Sequence, residues 1–247
     1  RQNSIFSNKM ILDALNDPFW GIRGDAILLL DKLPQKDKKE ISAKLKEISL
    51  NDPKSLVRKK AIEELSDYID DSEMIALCNQ IIEKDSSYWV VIKALEKITS
   101  LDSVKGLNKA IKLEKEKSKK LLIGIAEIYS KYGSKEKLSF FKSCLLNGSL
   151  SGGYSELEMI NFLMDFVIKR DLFDKEDLLD IFTYLNKNAG SYTKKHMPQL
   201  LNYVTYYIED QVFSLSEELK KEDSSIKAQK QNKLEFLLDK YKKLSQE

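Results

Sequence analysis

The phrase LNDPFWGIRGDAILLLDKL at residues 15–33 returns, altered, as LNDPKSLVRKKAIEELSDY at residues 50–68. A third, fainter copy emerges when the aspartates are set in register: Asp17, Asp52 and Asp85 lie 35 and 33 residues apart. Five positions after each aspartate stands a β-branched residue (Ile22, Val57, Val90), and nine after it an alanine (Ala26, Ala61, Ala94). Ten and thirteen positions after come aliphatic pairs: Ile27 and Leu30, Ile62 and Leu65, Leu95 and Ile98. Self-similarity at this period constrains the fold more than any other feature. Each copy must be one supersecondary unit that buries its apolar face against the next.

Every repeated position has a physical reason. Asp followed by Pro predicts a helix start, because the carboxylate accepts from free N–H groups and proline fits the first turn. The third copy, Asp85-Ser86, keeps the acceptor without the proline. Offsets five, nine and thirteen are four apart and share one helix face, and the small alanine lets a neighbouring helix come close. An amphipathic segment precedes each such helix: KMILDALN (9–16), KEISAKLKEISLN (39–51) and SEMIALCNQIIEK (72–84). The unit is therefore a helical hairpin. Offset six is arginine twice, Arg23 and Arg58, and then Val91. The pattern D-P-x-x-x-[VI]-R-x-x-A-[ILV] resembles a HEAT-type repeat. The resemblance implies a ladder in which arginine pairs with an aspartate of a neighbouring repeat, through Asp17, Arg23, Asp52 and Arg58, ending at Val91.

Composition supports helices throughout. Only 9 Gly and 4 Pro interrupt 247 residues that are 42% hydrophobic and 32% charged, a balance that disfavours tightly turned strands. The expected fold is all-α: a right-handed α-solenoid of HEAT-like helical hairpins, an α–α superhelix of about six or seven pairs. It is read as a single helical-repeat domain over 1–247, clearest over 9–100, with irregular hairpins and a capping helix over 101–247. Residues 104–133 read as a hairpin hinged near Ser118 and stopped at Gly133; 134–148 as a helix ending on glycine; 155–171, 174–190, 199–222 and 227–247 as the remaining helices. Asp174 is the expected cap of the second of these, and Pro198 the residue that precedes the third.

Charge excludes some partners. Lys and Arg total 41 against 39 Asp and Glu, a net charge of +2, so nothing drives nucleic-acid binding. KLEKEKSKK (112–120) alternates signs and reads as a solvated face. No apolar run approaches the roughly 20 residues of a membrane span. The chain opens on Arg1 rather than methionine, and RQNSIFSN (1–8) is too short for a capping helix, so a piece of a longer protein is expected, of unknown compartment. Cys78 and Cys144 read as buried free thiols.

Chemistry-bearing patterns are sparse. His196 is the one histidine, so H-E-x-x-H and other zinc sets are missing, and a catalytic zinc needs about three protein ligands. GSLSGGY (148–154) lacks the Gly-Lys-Ser/Thr ending of a phosphate loop. Asp70-Asp71 reads as a helix cap, and Glu156 and Glu158 have no placed base or nucleophile. Asn147-Gly148-Ser149 fits a glycosylation acceptor. Tyr203, Tyr206 and Tyr207 read as core, and Phe19, Trp20, Tyr88 and Trp89 as packing residues at the repeat turns. Asp25, Lys59, Lys60 and Lys93, on the second helix of each hairpin, are the candidate interface residues. No catalytic, cofactor-binding or metal residue is expected.

One resemblance is more specific than the repeat. LNDPFWGIRGDAILLLDKL, NDPKSLVRKKAIEEL, WVVIKALEKITSLD and IAEIYSKYGSKEKLSFF together are similar to the C-terminal helical domain of bacterial aminopeptidase-N-type zinc metallopeptidases (gluzincins), over roughly residues 9–145. The resemblance implies a multidomain parent, often exported, whose separate catalytic domain holds zinc and over whose cleft the helical domain closes. It implies the parent's catalytic domain and its peptide substrate as partners, and no cofactor in this piece. The alternative expectation is a free-standing HEAT-repeat adaptor that binds a protein or peptide along its concave face.

Overall fold

A computed structural model describes residues 8–32, 38–148, 150, 153–220 and 225–246. Among them are thirteen α-helices, three short 3₁₀ turns and no strand. The chain is all-α. Its helices cluster as two compact units, Arg1–Lys115 and Glu116–Glu247, where the sequence reads as one domain.

The first unit contains α1 (Asn8–Ala14), α2 (Trp20–Ile27), α3 (Lys38–Asn51), α4 (Ser55–Glu64), α5 (Asp71–Lys84), α6 (Tyr88–Leu101) and α7 (Ser103–Leu113). They pair as hairpins, α1 with α2, α3 with α4 and α5 with α6, and the second helices stack in order, α2 on α4 and α4 on α6. The repeated apolar positions, Ile22 and Leu95 excepted, belong to one core that runs from Ile11 to Ile98. Ala61 and Ala94 are fully buried where those helices meet, so their small side chains set the close approach. Val57 and Val90 are also fully buried, whereas Ile22 at the equivalent place in the first copy is 44% exposed. The crossing of α6 and α7 is close: a Cβ on Gly106 of α7 would lie 2.4 Å from the Thr99 Cα of α6. Only glycine fits there.

The aspartates do not cap these helices as the Asp-Pro pattern predicts. The cap residues are Phe19, Lys54 and Ser87, two positions later, with no side-chain cap bond. Instead each carboxylate closes a turn ahead of the helix, accepting from the N–H of Phe19 (2.7 Å), Lys54 (2.8 Å) or Ser87 (2.7 Å). This Asx turn needs only a backbone donor two residues on, which explains why the third copy survives without proline. Asp70, by contrast, caps α5 directly, accepting from the Glu73 N–H.

The second unit contains α8 (Lys119–Tyr132), α9 (Leu138–Leu146), α10 (Tyr154–Arg170), α11 (Glu176–Asn188), α12 (Ser191–Leu219) and α13 (Ser225–Leu244). Its core is aromatic: Tyr129 meets Phe140 edge-on at 5.0 Å, Phe141 lies 5.0 Å from Phe166, and Phe182 meets Tyr241. Two polar staples join its helices. The Arg170 guanidinium of α10 donates to the carbonyls of Tyr129, Ser130 and Gly133 at the end of α8, where a cation also meets the negative end of the helix dipole. The buried Glu156 carboxylate of α10 accepts from the Gly190 N–H and the Thr193 hydroxyl at the start of α12, which is the role that its sequence pattern left open.

Two boundaries differ from the sequence reading. α12 starts at Ser191 and runs through Pro198; Pro198 and Lys194 are both exposed, so the carbonyl that loses its donor lies on the wet side of the helix. Lys175 rather than Asp174 is the cap residue of α11. The glycine-rich stretch falls partly on residues 149, 151 and 152, outside the described residues, as do residues 1–7 of the opening segment and Ser149 of the glycosylation pattern.

Candidate functional site

The repeat pins its hairpins together through buried ion pairs. Arg23 forks onto Asp52 with Nε at 2.6 Å and Nη2 at 2.8 Å, and Arg58 forks onto Asp85 at the same two distances. Each guanidinium also donates backward to its own repeat, Arg23 to the carbonyls of Asp17 and Pro18, Arg58 to that of Asp52. Asp52 therefore holds three things at once: its own turn, the arginine before it and, through its carbonyl, the arginine after it. Burial alone would raise the Asp52 carboxyl, but the Arg23 fork and the Lys54 N–H outweigh it and hold the group below the usual carboxylate range. Arg23 is raised in turn, chiefly by its bond to Asp52. The rung from Arg58 to Asp85 carries the ladder one step past the residues read from sequence, and Val91 is buried in the core.

A second ladder runs along the exposed side of the same helices. Asp25, Lys60 and Lys93 occupy the same offset, eight, in the three copies. Lys60 lies 3.7 Å from Asp25 and donates to the Gly24 carbonyl, and Lys93 meets Glu63 at 2.9 Å and Glu96 at 2.7 Å. Burial depresses Lys93 while these two glutamates raise it, and the net shift is upward. Lys60 and Lys93 are thus engaged between repeats, while the Asp25 side chain stays 79% exposed.

The Asx turns place the first residues of each second helix at one end of the stack, and there the structure departs from the packing role expected for the aromatics. Phe19 and Trp89 are more than half exposed, and Trp20, Leu56 and Tyr88 are exposed as well. Lysines bridge between repeats: the Lys54 Nζ lies 5.1 Å over the Trp20 ring and the Lys59 Nζ 5.8 Å over the Trp89 ring. Between the second and third copies, Ser55, Leu56, Lys59 and Trp89 line a cleft of about 260 Å³. An aromatic wall, an aliphatic floor and a lysine rim suit an apolar side chain with a carboxylate beside it. Of the four interface candidates, Lys59 belongs to this row, and Asp25, Lys60 and Lys93 belong to the second ladder. Part of the signal for the row was in the sequence, since offsets three and four, held by Trp20, Leu56, Tyr88 and Trp89, fall off the five–nine–thirteen face.

Among the described residues no three His, Cys, Asp or Glu side chains come close enough to hold a metal ion. His196 shares its Nδ1 with the Tyr192 carbonyl on α12, and Cys78 and Cys144 are separate buried thiols. As placed, these side chains do not form a set of zinc ligands. No helix among the described residues is long and apolar enough to cross a membrane. Compared with protein-family models, curated proteins and solved structures, the chain shows a match to none of them.

Proposed function

We propose that this chain is a non-catalytic helical domain that docks on the catalytic part of a larger zinc-dependent aminopeptidase and helps to shape its peptide cleft. The observation that carries the reading is the row Phe19, Trp20, Leu56 and Trp89: large apolar side chains left exposed at one end of a stack whose neighbours are fixed by buried ion pairs. A rigid repeat stack with an exposed aromatic edge suits a protein partner. The resemblance of the repeat phrases to helical domains of aminopeptidase-N-type enzymes names that partner as the catalytic domain, with zinc and all bond-breaking chemistry residing there. Lys54 and Lys59 lie over the exposed tryptophans and favour an acidic contact on the partner.

The test is to place Leu56→Asp and Trp89→Ala in the native polypeptide and assay unblocked aminoacyl substrates. Both side chains are exposed, so far-UV circular dichroism should be unchanged. The reading expects turnover or peptide preference to shift by roughly tenfold or more, the effect of losing a central aromatic anchor. Unchanged kcat and KM would remove it. The alternative, a free-standing HEAT-like adaptor, rests on the same row; it expects the same variants to lose a bound protein segment in a native species that has no peptidase activity.

A further inference from the structure

The 29-residue helix α12 has two distinct faces. Thr193, Met197, Leu201, Val204, Ile208 and Leu215 are buried and fall within about an 80° arc at 100° per residue. On the opposite side, Tyr192, Tyr203, Tyr206 and Phe213 are 46%, 43%, 66% and 65% exposed; their arc is also about 80° wide and centred roughly 160° away. The sequence reading put Tyr203 and Tyr206 in the core. Only Tyr207 turns inward, stacking on Phe173 at 5.2 Å. Residues 192, 196, 199, 203, 206, 210 and 213 alternate by four and three, which is the spacing of a helix–helix seam maintained for three heptads, about 32 Å.

The charges along this seam choose the occupant. Its N-terminal end carries Lys194, Lys195 and His196, and its C-terminal end carries Glu209, Asp210, Glu217 and Glu218. Some are engaged within the unit: Lys194 donates to the Lys187 carbonyl, and Glu209 and Glu218 meet Lys242 and Lys227. Lys195 and Asp210 are exposed and have no charged partner among the described residues. Both border the aromatic stripe. A helix that is basic at one end and acidic at the other complements a second copy of itself only when the copy runs the opposite way. A parallel copy would set lysine against lysine.

We propose that two copies of this chain associate through the aromatic face of α12, with the helices antiparallel about a two-fold axis near Tyr203. That axis brings Tyr203 against its own copy, Tyr192 toward the partner's Phe213, and Lys195 toward the partner's Asp210. The interface is isologous, so each charge pair occurs twice. It uses α12 alone and stands apart from the row on the first unit.

The test is sedimentation equilibrium of the 247-residue chain across the micromolar range, with circular dichroism to check folding. Wild type is expected to reach twice 28.5 kDa. Lys195→Glu and Asp210→Lys are each expected to raise the dissociation constant on the order of tenfold to hundredfold, because each creates like-charged pairs on both sides of the axis. The double variant should return to within about threefold of wild type, which only an antiparallel pairing permits. Tyr206→Glu with Phe213→Glu should be monomeric. A monomeric wild type overturns the proposal, and so do single reversals without effect or a double variant that stays as weak as the singles.

Discussion

Asp52→Ala is the substitution that most exposes how the repeat is held. It removes both arms of the Arg23 fork and the acceptor for the Lys54 N–H. The partners are 11% and 4% exposed at the side chain, so Arg23 would be left in a nearly dry site without its counter-ion. Breaking a buried pair by removing one partner costs about 3–5 kcal/mol. Arg23 keeps two carbonyl acceptors, Asp17 and Pro18, so the expected loss is at the lower end, about 3 kcal/mol. Asp52→Asn retains an acceptor for the turn but not the charge, and is expected to lose roughly half as much. Both tryptophans lie in the first unit, so their fluorescence in a urea titration follows that unit alone. Glu47→Ala, which removes an exposed partner of Lys44, is the control and should cost less than about 0.5 kcal/mol. A loss at Asp52 no larger than at Glu47 would refute the ladder as a stabilising device. The pH dependence has a definite sign: the folded Asp52 carboxyl lies below its unfolded value, so its stabilisation is full above about pH 4–5 and is lost as pH falls through the folded value. Asp52→Asn should flatten that part of the acid limb.

Two further outcomes follow from close packing. Gly106→Ala meets the Thr99 backbone and should cost about 1–3 kcal/mol or more in the same titration, whereas Gly24→Ala meets only the Lys60 side chain and should be neutral or stabilising by up to about 1 kcal/mol. Burial pushes the Cys78 thiol up to about 12, so it should resist a disulfide reagent at pH 8 in the folded chain and react in step with unfolding as urea is added.

The repeat was the most legible part of the molecule because periodicity records what each position packs against. Ala61, Ala94, Val57 and Val90 are buried where the shared helix face puts them. The ladder from Arg23 to Asp52 was legible through the resemblance, and its next rung was available from the same register, since Asp85 aligns with Asp52. What sequence could not supply was which side of a helix lacks a neighbour. Ile22 repeats Val57 in type yet is 44% exposed. Tyr203 and Tyr206 have core spacing but lie on the second apolar face of a helix that already has one packed. Lys60 and Lys93 read as free surface charges, although the stacking of second helices turns them toward Gly24, Asp25 and Glu63. Pro198 marked a start in sequence, yet the helix continues through it because the Lys194 carbonyl that loses its donor lies on the exposed side.

The most direct measurement is the mass, zinc content and aminopeptidase activity of the native polypeptide, captured from its source cells with an antibody to the first unit. The account predicts a covalent species several times heavier than 28.5 kDa that carries zinc and hydrolyses unblocked aminoacyl substrates until a chelator is added. A polypeptide of about 28.5 kDa, metal-free and inactive, would contradict it and leave the aromatic row to the adaptor reading.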